Sequence, residues 1–196
     1  MICLNITSKK ILFSLVSMKI YIAGAHSTGK TSIARILAKE YKLPLLNEVA
    51  RTVLAEKELG LESLRIDLDI VDDYQKEVFF RQLEEEDKYE SFVSDRTFDN
   101  LAYAAQHSRV LASIINSERL KEYIEKLRKD DVYLFFIRPS KVTLKDDGVR
   151  EKICWDGVVA IDAMIKFMFE LFDLNYITIN SNSMQERIKT IKTIIR

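Results

Sequence analysis

The chain has 196 residues, and its 30 Lys and Arg balance 30 Asp and Glu, so the formal net charge is zero. At ~150 residues per domain this length predicts one domain, and an apolar content of 47% is too high for a disordered chain. The lack of excess positive charge argues against a broad nucleic-acid or anionic-membrane surface. Two cysteines and two histidines cannot form a Cys/His zinc cluster and do not suggest a disulfide scaffold, so a reduced, cytoplasmic setting is the default expectation.

Residues 1–17 are expected to be an N-terminal extension, either a flexible tail or the product of an upstream start. Lys9 and Lys10 precede an apolar run over 11–16 and loosely imitate a signal peptide, but the run is short and no small-residue cleavage site follows. No stretch approaches the ~20 apolar residues needed to cross a bilayer. We therefore expect one domain over residues 18–196 and no membrane association.

From residue 18 onward, short apolar runs rich in β-formers alternate with longer stretches of helical periodicity. The predicted strands are 18–23, 45–47, 91–94, 132–137 and 176–179. The predicted helices are 30–41, 48–59, 69–89, 98–107, 110–129, 158–172 and 184–195. Strands separated by helices of this length form βαβ crossovers, which predicts an α/β three-layer sandwich with a mainly parallel five-stranded sheet.

The strongest signal is a glycine-containing loop between the first strand and the first helix. Residues 24–31 fit the phosphate-loop pattern G-x-x-x-x-G-K-[ST], in which consecutive backbone N–H groups turn inward around a phosphate. Lys30 is expected to reach the β and γ phosphates of ATP, and the Thr31 hydroxyl to hold Mg²⁺. His26 is expected to contribute mainly backbone, and a catalytic role is its alternative. For the motif as a whole, the alternative is a glycine turn without a ligand. The predicted nucleotide-binding residues are Gly24, Ala25, His26, Ser27, Thr28, Gly29, Lys30, Thr31 and Ser32.

Two charged residues follow the third predicted strand, at the carboxyl end where open α/β sheets bind their ligands. Asp95 is expected to organise Mg²⁺ together with Thr31; its alternative is an N-cap of the next helix, a role for which Thr97 competes. Arg96 is expected to stabilise phosphate charge during transfer, and a local ion pair is its alternative. The two residues predict a metal-organising carboxylate and a phosphate-binding guanidinium in one site.

Four segments in this order resemble a branch of P-loop proteins: 24–31, 47–51, 95–103 and 146–150. That branch includes nicotinamide riboside kinase domains and relatives of thymidylate kinase and the deoxynucleoside kinases. The resemblance spans about residues 19–179, and only the phosphate loop is specific by itself. It implies a P-loop nucleoside or nucleotide kinase fold with a mobile lid and a small nucleoside-like acceptor.

The resemblance also implies an acceptor site. Glu48 would take the hydroxyl proton of a nucleoside or bind its sugar, and Arg51 would contact the acceptor or its phosphate; the alternative is an i, i+3 surface pair on a helix. Gln75 would offer a donor and an acceptor to a base edge, unless it lies on a solvated helix face. Phe79 would stack on the base, and a place in the hydrophobic core is its alternative.

A polar stretch around residues 138–157 resembles the lid of this family. A cation from a closing lid acts on the γ-phosphoryl group as an arginine finger does, and Arg150 is the residue expected to do so. A solvated loop is the alternative. The chain departs from the family pattern at 154–156, where Cys-Trp-Asp replaces an expected basic residue.

Together these features predict ATP- and Mg²⁺-dependent phosphoryl transfer to a nucleoside or a nucleoside monophosphate. Two other functions stay open: a nucleotide-dependent regulatory ATPase or switch that binds a protein partner, and a kinase acting on a nucleic-acid end or modified base. Neutral net charge makes nucleic acid an unfavoured partner. A homodimer also stays open as the oligomeric state.

Overall fold

The computed structural model describes residues 17–47, 49–57, 67–140 and 155–195. The predicted N-terminal extension up to residue 16, the acceptor residue Glu48 and the lid residue Arg150 lie outside the described residues. Within those ranges, no helix combines the length and the apolar character that a membrane span requires.

Five strands form one parallel sheet, as predicted, in the order β2-β3-β1-β4-β5. They are β1 (Lys19–Ala23), β2 (Leu45–Leu46), β3 (Phe92–Ser94), β4 (Val132–Ile137) and β5 (Ile177–Ile179). The central strand β1 pairs with β3 on one side and with β4 on the other. The chain builds one half of the sheet before β4 begins the other half, so the crossovers diverge at β1. Ligand crevices of open α/β sheets form at such a switch point, outside the carboxyl ends of the strands.

The described residues contain eight helices. They are α1 (Lys30–Tyr41), α2 (Val49–Glu56), α3 (Leu68–Asp87), α4 (Asp99–His107), α5 (Leu111–Ile115), α6 (Glu118–Leu127), α7 (Trp155–Leu171) and α8 (Met184–Ile194). The single helix predicted over 110–129 is wrong, because the Ser117 hydroxyl accepts a hydrogen bond from the Leu120 N–H at 3.2 Å and caps a new helix. The predicted start of α7 at residue 158 is also three residues too late, since this helix begins at Trp155.

Side chains of the central strands alternate between two hydrophobic cores. Tyr21 and Ala23 pack into the core shared with α3, α4, α6 and α7, whereas Ile20 and Ile22 pack into the core shared with α1 and α8. Each such fully buried aliphatic side chain stabilises the fold by about 1.5–3 kcal/mol. Because both faces of β1 are buried, the phosphate loop that follows it starts between two packed hydrophobic cores.

Candidate functional site

The phosphate loop needs glycine at two positions. Gly24 has φ 151° and Gly29 has φ 85°, both in the region that side chains disfavour. A Cβ atom at Gly24 would lie 2.5 Å from the carbonyl oxygen of Ile137, and one at Gly29 would lie 2.8 Å from the Cε atom of Met184. The loop is therefore pressed against the end of β4 and against α8, and backbone alone fits there.

Six consecutive backbone N–H groups, from Ser27 to Ser32, donate no hydrogen bond to any other described residue. The ladder of α1 starts only when the Ile33 N–H donates to the Gly29 carbonyl at 3.1 Å. The first N–H groups of a helix lack intrahelical acceptors and carry its partial positive charge. A row of unpaired donors at a helix start is a binding site for an anion such as phosphate.

Lys30 lies against the carbonyl groups of its own loop. Its Nζ donates to the Gly24 oxygen at 2.6 Å and to the Ala25 oxygen at 2.8 Å, and it is 3.3 Å from Oδ1 of Asp99. Burial lowers the pKa of Lys30, and the charge of Asp99 opposes that shift. The ammonium group is therefore already inside the loop, where rotation of a flexible side chain can bring it onto a phosphate.

Thr31 and Asp95 form a hydroxyl–carboxylate pair beside this loop. The Thr31 hydroxyl donates to Oδ2 of Asp95 at 2.6 Å, while Oδ1 of this buried carboxylate has no hydrogen bond. Mg²⁺ prefers oxygen ligands and keeps several waters, so this pair fits the ion when phosphate oxygens complete its shell. The described residues hold no cluster of three or more His, Cys, Asp or Glu side chains able to bind a metal without such help.

Asp95 does not cap the following helix. Helix α4 begins at Asp99 with Phe98 at the N-cap position, and no side chain makes the capping bond. The N-cap alternative is therefore wrong for both Asp95 and Thr97. The ion-pair alternative for Arg96 has partial support, because its Nε lies 3.7 Å from Oδ1 of Asp95, beyond hydrogen-bonding distance but within ionic attraction.

Sequence reasoning missed Asp99 as a site residue. Its Oδ1 accepts the Gly24 N–H at 3.1 Å and its Oδ2 accepts the Thr97 N–H at 3.0 Å. With the Lys30 contact, this carboxylate joins the phosphate loop to the segment after β3. Its sequence signals were a place in the resembling segment 95–103 and an acidic residue in the first turn of a helix, which is common for helix-dipole reasons alone.

A chain of side-chain hydrogen bonds leads away from Arg96 into the protein. Arg96 NH1 donates to Oδ1 of Asn100 at 3.2 Å, and Nδ2 of Asn100 donates to Oε1 of Gln82 at 3.0 Å. Nε2 of Gln82 donates to the Thr97 carbonyl and to Oε1 of Glu86, both at 3.1 Å. Because the Thr97 carbonyl can only accept, the Gln82 amide has one orientation, and it fixes the Asn100 amide with its oxygen toward Arg96.

Glu86 is fully buried at the far end of this chain. It also accepts from the Tyr21 hydroxyl at 2.5 Å, from the Tyr123 hydroxyl at 3.3 Å and from Nζ of Lys126 at 3.3 Å. Burial raises the pKa of Glu86, although Lys126 and the hydrogen-bond donors oppose the shift. The network thus ties α3, β1 and α6 to the orientation of Arg96.

On the predicted acceptor side, Gln75 is 5% exposed and makes no hydrogen bond with the other described residues. The hydroxyl of neighbouring Tyr74 donates to the Ala50 carbonyl at 3.0 Å, which ties α3 to α2. Arg51 follows Ala50 in α2, so its backbone lies beside this contact. The solvated-face alternative for Gln75 is wrong, since the residue is buried.

Phe79 does not offer a stacking surface. It is 0% exposed and packs edge-on against Phe80 and Tyr123 in the core. We therefore assign Phe79 to the core and correct its predicted place in the acceptor site. Phe79 lies one helical turn after Gln75 on the same buried face of α3.

His26 contributes a ring contact as well as loop backbone. Its imidazole meets the Tyr103 ring edge-on with centroids 5.9 Å apart, and the Tyr103 ring lies 4.2 Å from that of His107. These contacts join the phosphate loop to α4 on the side opposite α8.

A family model described as an AAA domain matches residues 19–187. The chain belongs to this AAA-domain family. Among solved structures, this AAA domain resembles deoxyadenosine kinase from M. mycoides with bound dCTP, at a TM-score of 0.64 and 15% identity over 91% of this chain and 98% of that chain. It also resembles the NadR protein in complex with NR, at a TM-score of 0.64 and 15% identity over 91% of this chain and 51% of that chain.

Shikimate kinase from Acinetobacter baumannii in complex with shikimate matches this AAA domain at a TM-score of 0.54 and 15% identity, over 91% of each chain. At these identities the matches establish the fold, which is that of the P-loop nucleoside and nucleotide kinase-like proteins. The resemblance inferred from the four sequence segments is confirmed at this level. No curated protein sequence matches the chain.

Proposed function

We propose that this AAA domain transfers the γ-phosphoryl group of ATP, with Mg²⁺, to a small nucleoside or nucleoside monophosphate. The observation that carries the proposal is the row of N–H groups from Ser27 to Ser32 that have no acceptor among the described residues. Lys30, Arg96 and the Thr31–Asp95 pair meet this row at the carboxyl ends of β1 and β3. Two cations and a row of amides fit a polyphosphate, and the site needs no covalent chemistry by the protein.

In this proposal residues 24–32 enclose the phosphates of ATP, and Lys30 turns from the loop carbonyls to the β and γ phosphates. Arg96 places its guanidinium on the transferred group, where charge spreads over the equatorial oxygens. Bound Mg²⁺ supplies neutralisation of phosphate charge. Thr31 and Asp95 are the residues that would hold it.

The acceptor would lie between α2 and α3. Gln75 supports this placement, because a buried amide whose donors and acceptors are not used by the described residues can read a base edge. We further propose that Glu48 takes the hydroxyl proton, that Arg51 holds an acceptor phosphate and that Arg150 acts from the lid on the γ-phosphoryl group. A nucleoside-like acceptor is supported by the higher TM-score of 0.64 for deoxyadenosine kinase and for NadR in complex with NR, against 0.54 for shikimate kinase in complex with shikimate.

The direct test incubates the protein with ATP, Mg²⁺ and a panel of nucleosides and nucleoside monophosphates, and measures product mass. We expect an increase by one phosphoryl group on at least one acceptor. Lys30→Ala should reduce turnover by about a hundredfold or more with the fold retained, as loss of a charge-stabilising group does. Lys39→Ala, on the exposed face of α1, is the matched control and should keep full turnover. No product across the panel would refute the transfer activity.

A second variant separates nucleosides from monophosphates as acceptors. If the Arg51 guanidinium grips an acceptor phosphate, Arg51→Ala should raise KM for a monophosphate by about tenfold or more and leave a nucleoside nearly unaffected. Arg35→Ala, on the exposed face of α1, controls for loss of a surface charge. Equal losses on both acceptor types would reject this role for Arg51.

A further inference from the structure

Helix α8 carries a buried cation that none of the predicted site residues explains. Arg187 is 2% exposed, and it makes no ion pair with a carboxylate of the described residues. Its guanidinium instead donates to three backbone carbonyls: Nε to Ser181 at 2.5 Å, NH1 to Thr28 at 2.5 Å and NH2 to Arg138 at 3.5 Å. Burial of an arginine without an anionic partner is unfavourable, so the position calls for a compensating interaction.

The three carbonyls belong to three different segments that meet at the carboxyl edge of the sheet. Thr28 is in the phosphate loop, Arg138 follows β4, and Ser181 lies between β5 and α8. Met184, one turn before Arg187, also packs under the loop, since its Cε lies 2.8 Å from the place of a Cβ at Gly29. Helix α8 therefore contacts the phosphate loop through the side chains of Met184 and Arg187.

The bond to Thr28 has a directional consequence. In a trans peptide the carbonyl oxygen and the next N–H point in opposite directions, so a guanidinium that holds the Thr28 oxygen aims the Gly29 N–H away from Arg187. That N–H is one of the donors without a partner among the described residues. A cation at the carbonyl end also polarises the peptide and makes its N–H a stronger donor.

We propose that Arg187 is a positioning residue of the phosphate site, which orients and polarises the Gly29 amide and supplies the buried positive charge that a bound polyphosphate compensates. This inference rests on the proposed nucleotide binding, and it concerns affinity for the phosphates and not for the acceptor. It predicts that nucleotide affinity depends on a residue that does not touch the nucleotide.

The test is titration calorimetry with Mg²⁺ and either ATP or inorganic tripolyphosphate as the probe. Arg187→Met should weaken ATP binding about tenfold to a hundredfold, the range for loss of one charge-assisted hydrogen bond. Tripolyphosphate binding should weaken by a similar factor, because the effect acts on phosphate and not on the base. Ile191→Ala, in the same buried face of α8, is the matched control: it should lower the unfolding temperature but keep affinity within about threefold.

Arg187→Lys keeps the charge and loses the three-way fork, so its affinity should lie between those of the wild type and the Met variant. This variant carries the test alone if Arg187→Met does not fold. Three results would each overturn the inference. The first is unchanged ATP affinity in the Arg187 variants, and the second is an equal loss of ATP affinity in Arg187→Met and Ile191→Ala. The third is a loss of affinity for ATP without a loss of affinity for tripolyphosphate. Wild-type protein that binds ATP but phosphorylates no acceptor would refute the proposed transfer and leave this inference standing.

Discussion

Replacement of Glu86 by leucine should destabilise the fold and disturb the candidate site together. The carboxylate is fully buried and accepts from the Tyr21 and Tyr123 hydroxyls, from Gln82 and from Lys126. Leucine accepts nothing, so the two hydroxyls lose these bonds. Gln82 keeps its bond to a backbone carbonyl and loses the acceptor that helps to fix its orientation.

The expected loss can be worked out from these bonds. Each buried hydroxyl left unpaired costs about 1–3 kcal/mol. Lys126 is still 3.4 Å from Asp87, so its loss is smaller, and burial of the leucine side chain offsets part of the total. The net loss should be about 2–4 kcal/mol, against a total stability of about 5–15 kcal/mol. With a urea m-value of about 2 kcal/mol/M, the unfolding midpoint should fall by about 1–2 M.

Urea unfolding followed by the fluorescence of Trp155 measures this shift. Trp155 is the single tryptophan of the chain and packs against the same core as Tyr21 and Tyr123. Glu84→Leu makes the same chemical change on the exposed face of α3, and it should change stability by no more than about 0.5 kcal/mol. Equal midpoints for Glu86→Leu and the wild type would refute the assignment of Glu86 as the acceptor that holds this network.

Three further predictions concern the loop, the network and pH. Gly24→Ala should cost about 2–6 kcal/mol in urea unfolding, because its Cβ would lie 2.5 Å from the carbonyl of Ile137 in a disfavoured conformation; a wild-type midpoint would show that the loop can move. Asn100→Leu removes the side chain that accepts a hydrogen bond from Arg96, so kcat should fall about tenfold while ATP affinity stays within about threefold. A change in ATP affinity without a change in kcat would contradict the role of Asn100 in positioning Arg96. Burial raises the pKa of Asp162, so the folded state binds this proton more tightly than the unfolded state, and the contribution of Asp162 to stability falls as pH rises above about 4. The urea midpoint of Asp162→Asn should therefore increase relative to that of the wild type from pH 4 to 7. A difference between the two midpoints that does not change with pH would contradict the raised pKa.

The sheet and the phosphate loop could be predicted because local sequence determines them. Short apolar runs rich in β-formers identified β1 and β4. Glycine is required at positions 24 and 29 because a Cβ atom there would collide with the Ile137 carbonyl and the Met184 side chain, respectively. The helix break at Ser117 was missed, because apolar residues keep their helical spacing across it and one capping hydroxyl decides the boundary.

The supporting residues could not be predicted because their roles depend on contacts distant in sequence. Asp99 meets Gly24 across 75 positions and Arg187 meets Thr28 across 159 positions. Asn100 and Gln82 are ordinary polar helix residues until Glu86 fixes the direction of their amides. Such roles arise only when α3, α4 and α8 are packed against the sheet.

Among the described residues, five buried side-chain atoms lack a hydrogen bond; two belong to the Arg138–Asp162 ion pair, and the other three lie where the proposed ligand would bind. Oδ1 of Asp95, Nε of Arg96 and Oγ1 of Thr97 are three consecutive side chains with buried polar atoms that lack hydrogen bonds. Each such atom costs about 1–3 kcal/mol, which a marginally stable domain tolerates only at few positions. Arg187, which pairs with no carboxylate in the part of the chain that the structure describes, adds a buried charge on the other side of the phosphate loop. In the proposed function, a polyphosphate would compensate the buried positive charge and a metal ion would engage the carboxylate oxygen of Asp95, so binding of either ligand would stabilise the folded state.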